Sequence, residues 1–97
     1  MHRYTYLVYY EGGPSKTTPL RSTKSEQDVV EALRAIPRHL EHYFDAGTAI
    51  EARDIETHAV RGPARSITIV TAQDEDTVDK CVARGLNGLD LYGDKIS

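Results

Sequence analysis

Ninety-seven residues with a net charge of −3, 39% hydrophobic and 28% charged side chains suit one folded domain. The acidic balance argues against a sequence-independent nucleic-acid binder, whose affinity for phosphate comes from Lys and Arg. A single cysteine, Cys81, excludes an intramolecular disulfide framework, and no run approaches the roughly 18–20 apolar residues of a membrane helix.

In chain order, Arg3 to Glu11 is rich in Tyr, Val and Leu, which fit a pleated, half-buried surface. Gly12-Gly13-Pro14-Ser15 is turn chemistry. Ser15 to Thr23 reads as a second strand. Pro19 confines it to an edge or a bulge, because proline cannot donate to a ladder. Ser25 opens a helix: its hydroxyl can accept from the first turn, and Glu26 and Asp28 complement the positive helix end. Val29, Leu33, Ile36, Leu40 and Tyr43 are spaced 4, 3, 4, 3, which is one helical face. Pro37 removes a hydrogen bond without shifting that stripe. The sequence therefore predicts a kinked helix, or two helices meeting at Pro37, with one continuous buried face. Asp45-Ala46-Gly47 ends it.

In the second half, Ile50 to Val60 reads as a strand, Arg61-Gly62-Pro63-Ala64 as a turn and Arg65 to Ala72 as another strand. Asp74-Glu75-Asp76 opens a second helix with Val78, Cys81 and Val82 inward, and Gly85 closes it. Residues 86–97 pack back as a short extended tail. Laid on itself with a shift of 49, the chain matches Gly13-Pro14 to Gly62-Pro63, Glu26 to Glu75 and Val29 to Val78. The expected organisation is a single domain, 1–97. It is a pseudo-repeat of ββα units, about 3–47 and 50–85, plus the tail 86–97. The fold is a two-layer α+β sandwich, an antiparallel sheet with two helices on one face. If 15–23 are loop, the order becomes the ferredoxin-like βαββαβ.

The same shift assigns faces. Tyr4, Tyr6, Val8, Tyr10, Leu20, Ile55, Ile67 and Ile69 point to the helices; Thr5, Leu7, Tyr9, Arg21, Asp54, Glu56, His58, Thr68 and Val70 point away. A face without helices should be polar. This one includes Leu7, Tyr9 and Val70, so Leu7, Tyr9, Arg21, His58 and Val70 are the candidate binding residues.

Chemical motifs are few. Asp54 and Glu56, two apart on one strand, with His58 and Tyr9, are the acid-base candidates, since paired carboxylates raise one pKa. His39 and His42 are candidate metal ligands, but nothing at a useful spacing completes a site, and no metal or other cofactor is expected. The glycines form no phosphate-binding loop, and no nucleophile elbow is present. Asp74-Glu75-Asp76 with Asp79 is a capped helix start or an acidic patch for a basic partner. Residues 1–48 carry six basic and six acidic groups, and 49–97 carry six and nine.

The leading expectation is a small cytoplasmic, non-enzymatic protein-binding module that adapts or inhibits a larger protein, as a phage-type or mobile-element inhibitor would. Its partner would be a protein with a basic surface, or a second copy. Neither nucleic acid nor membrane is expected. A lone thiol suits a reducing compartment, and His2-Arg3-Tyr4-Thr5-Tyr6 lacks the pattern of a signal peptide. The alternative is a small α+β enzyme or small-molecule-binding dimer with acid-base groups on the sheet.

Overall fold

The computed structural model describes residues 1–10, 25–60 and 62–96. Their elements, in order, are β1 (His2–Tyr9), α1 (Glu26–Arg34), α2 (Ile36–Leu40), a 3-10 turn (Glu41–Tyr43), β2 (Ala49–Ile55), β3 (Ala64–Thr71), α3 (Glu75–Gly88) and β4 (Tyr92–Lys95). The strands form one antiparallel sheet in the order β2-β3-β1-β4. Helical residues Val29, Leu33, Ile36, Leu40, Val78, Val82 and Leu86 bury against Tyr6, Val8, Ile67 and Ile69 of the sheet. The molecule is thus a two-layer α+β sandwich. The described elements run β-α-β-β-α-β, the ferredoxin-like alternative, with β3 between β1 and β2. Residues 15–23, read above as a strand, lie outside the described residues.

The first helical segment follows its sequence closely. Ser25 accepts a hydrogen bond from the Asp28 N–H at 3.2 Å and caps α1. Pro37 sits at the start of α2, where its missing N–H costs least. The stripe crosses the break intact: Val29, Leu33, Ile36 and Leu40 are all buried. Gly47, at φ 94°, turns the chain toward β2.

α3 runs to Gly88, past the Gly85 stop expected from sequence. Gly85 is there for packing: a Cβ would come within 2.2 Å of the Leu40 side chain, so its absence lets α3 lie against α2. The helix closes instead in a Schellman turn. The Leu91 N–H bonds to the Leu86 carbonyl at 2.9 Å and the Asp90 N–H to Asn87 at 3.1 Å, with Asp90 left-handed at φ 56°. Leu86 and Leu91 are both buried, supplying the apolar contact of that motif. The turn delivers the tail to the edge of β1, where Tyr92–Lys95 becomes β4.

The faces need one correction. β1 and β3 point as expected, but β2 is out of phase by one residue. Ala52 pairs with Ile67 and Ile50 with Ile69, so Ile50 and Ala52 pack on the core. Ile55 therefore turns away from the helices and Asp54 toward them. No helix among the described residues is long and apolar enough to cross a membrane.

Candidate functional site

The helix-free face of the sheet is built in cross-strand rows. Thr5 and Thr68 share a hydrogen bond at 3.0 Å, and Arg3 reaches across to Glu51 at 2.9 Å. At the β4 side, the Tyr9 hydroxyl donates to Asp94 at 2.8 Å. The Tyr9 ring stacks on Tyr92, centroids 6.2 Å apart. Tyr92, Asp94 and Ile96 share this face because they alternate along β4, which the Ile96 N–H extends by bonding to the Thr5 carbonyl. Tyr92 is 39% exposed and Ile96 57% exposed, whereas Leu7 is only 9% exposed.

Of the sequence-derived binding candidates, Leu7, Tyr9 and Val70 lie on this face. His58 is exposed in the bend after β2. Arg21 lies outside the described residues. Sequence reasoning missed Tyr92 and Ile96. The signal was present as the period-two pattern Tyr92-Asp94-Ile96, masked by the glycines around it.

The acid-base candidates do not converge. Asp54 lies on the helix side, its carboxylate 2.9 Å from the Arg65 Nε. That N–H finds no hydrogen bond among the described residues, so the contact is coulombic, while the guanidinium also donates to the Leu33 carbonyl at 3.2 Å. Tyr9 faces the opposite way, in register with Ala64 and hence with Ile55. Glu56 and His58 follow the end of β2 and are exposed.

A cleft of about 680 Å³ opens between α3 and β4. Its walls are Val82, Leu86, Leu91 and Tyr92, and its polar end holds Tyr6, Asp79 and Lys95. The Tyr6 hydroxyl donates to Asp79 at 2.6 Å. The Lys95 ammonium lies 2.8 Å from one Asp79 oxygen and 2.9 Å from the other, bonds Glu75, and sits 5.7 Å from the Tyr4 ring centroid. Burial, then the Asp79 bond and charge, pushes the Tyr6 phenol well above its usual range. Burial raises the Asp79 carboxyl, but its bonds to Lys95 and Tyr6 outweigh that and hold it low. Bonds to Asp79 and Glu75 push Lys95 up. Asp74, the cap of α3, is lowered chiefly by the Thr77 hydroxyl. The acidic run is therefore largely engaged: Lys95 meets Glu75 and Asp79, and Thr77 meets Asp74.

His39 and His42 do not form a shared site. The His39 ring lies 5.6 Å from Tyr43 and against Gly88, with Nε2 buried and without a hydrogen-bond partner among the described residues. His42 is exposed. Among the described residues, no three His, Cys, Asp or Glu side chains cluster as metal ligands would. No family model matches the chain, and no curated protein matches it significantly.

Proposed function

We propose that the protein is a non-enzymatic binding module that holds a larger protein against its helix-free sheet face, as an adaptor or inhibitor. One observation carries this reading: Tyr92 and Ile96 are exposed there, with Tyr9 stacked behind Tyr92. Aromatic groups held rigid and rimmed by charge are typical anchors of protein contacts. Leu7, Tyr9 and Val70 form the floor of the surface, and Tyr92 and Ile96 its accessible part. The partner carries basic rim groups, since Asp94 flanks the aromatic pair and residues 49–97 hold nine of the fifteen acidic side chains. The cytoplasm suits a chain whose one thiol, Cys81, is half-buried and unpaired.

Affinity capture with the tagged wild type, Tyr92→Ala and Ile96→Asp tests this. One protein should co-purify in near-stoichiometric amount with wild type and be lost with both variants, whose circular dichroism stays unchanged. Equal recovery with all three would remove the reading.

The cleft between α3 and β4 favours a second reading, small-molecule binding, because its size lies within the roughly 300–1,000 Å³ of ligand sites. Lys95 is already engaged, so Arg84, the other cation among the described lining residues, is left to meet an anionic group. A Tm increase with apolar carboxylates that disappears in Arg84→Ala would favour it. No increase would leave protein contact as the sole reading.

A further inference from the structure

β2 closes one edge of the sheet, and among the described residues nothing pairs with its outer side. Natural edge strands are usually short or guarded by proline, a bulge or charged side chains, lysine above all. β4, at the other edge, is a four-residue strand, Tyr-Gly-Asp-Lys, and fits that description. Of these guards β2 has only charge. It is seven residues long, Ala49–Ile55, without proline, lysine or glycine, and pairs with β3 along its whole length without a bulge.

We infer that two copies of this chain associate edge to edge through β2, antiparallel about a two-fold axis at Ala52. Three features of the strand select that register. First, Ala52 is the middle of the seven residues, so only this register pairs the strand completely with its copy. Second, it sets Glu51 of one copy opposite Arg53 of the other, twice by symmetry. A register centred on Glu51 or on Arg53 would instead place like charges face to face, which is destabilising. Third, it sets Ile55 beside Ala49 of the other copy on the helix-free face. Arg53 is exposed and makes no ion pair among the described residues. Glu51 is bound to Arg3 through one oxygen, Oε2, which leaves Oε1 for the incoming guanidinium. Asp54 stays on the helix side with its own Arg65. Association would continue the two four-stranded sheets into one. It uses the edge opposite β4, so it does not depend on the partner surface around Tyr92.

Sedimentation equilibrium of the full chain tests the proposal. Wild type should form a dimer. Arg53→Glu and Glu51→Arg should each weaken it by about tenfold or more, and the combined exchange should restore it. Circular dichroism confirms that each variant is folded. As a second measurement, Ala52→Cys in a Cys81→Ser background should cross-link to its own copy on oxidation. Directly opposed residues lie about 4.5–5.5 Å apart, within disulfide reach. Ala49→Cys in the same background should not cross-link to itself. A monomeric wild type, a dimer indifferent to either single reversal, or a double exchange that fails to restore association would overturn the proposal. Tyr92→Ala should leave the dimer intact, which separates this result from any failure of the partner surface.

Discussion

Tyr6 shows how one side chain ties the core to the cleft. Its ring is buried with the inner face of β1, and its hydroxyl reaches Asp79 of α3. The phenol and the Lys95 ammonium both titrate above their ordinary values, near 10 and 10.4. Both are raised, so the stability they contribute is full below about pH 10 and is lost as pH rises beyond it. Asp79 and Asp74 are lowered, so theirs is present above about pH 4 and lost as pH falls below it. The Tm should therefore be flat between these limits and fall on both sides. Spectrophotometric titration should show a component that ionises only with unfolding, and Tyr6→Phe should remove it. A Tyr6→Phe titration that still lags would contradict the assignment. Gly85 makes a second case. Gly85→Ala should destabilise by about 1–3 kcal/mol in chemical denaturation despite the helix propensity of alanine, because its Cβ meets Leu40. In a Leu40→Ala background that cost should largely vanish, since the obstructing methyl is gone.

Among the elements, α1 and α2 were the most legible in sequence. Ser25, the stripe from Val29 to Leu40, and Pro37 each act locally, within a turn or two of the chain, and a sequence pattern reports local physics directly. The extent of α3 was hidden because a helix-internal glycine looks like a stop until its packing against Leu40 is known. The tail was expected to pack back extended, but its regular pairing as β4 was hidden for a related reason. Gly93 reads as irregular, but a Cβ there would come within 2.5 Å of Leu86, so glycine is what lets the strand lie against α3. Gly93→Val should detach β4. Hydrogen exchange at residues 92–95 should rise by an order of magnitude or more, while β1 and β3 amides stay protected. Unchanged exchange would show that the contact does not hold the strand. Ser25→Ala should cost about 1 kcal/mol, read by denaturant midpoint at constant m.

For the whole molecule, the shift of 49 lays α1 on α3, Glu26 on Glu75, and β1 on residues 51–58, over β2, but in the wrong phase: core Tyr6 falls on Ile55 of the helix-free face. The phase borrowed from it consequently failed on β2, turning Ile55 and Asp54 the wrong way. Pairing register depends on contacts between segments distant in the chain, which no local pattern records. The site was legible in part for the same reason. Tyr9 and Val70 could be placed by alternation, but Tyr92 and Ile96 matter only once the tail joins β1. The proposed function makes the helix-free face the surface that meets a partner, with the helix layer turned away. A photoreactive phenylalanine analogue placed at Tyr92, and separately at the exposed Arg38 of α2, tests this most directly in cells. One discrete cross-linked product is expected from position 92 and none from position 38. A product from position 38 with none from position 92 would contradict it.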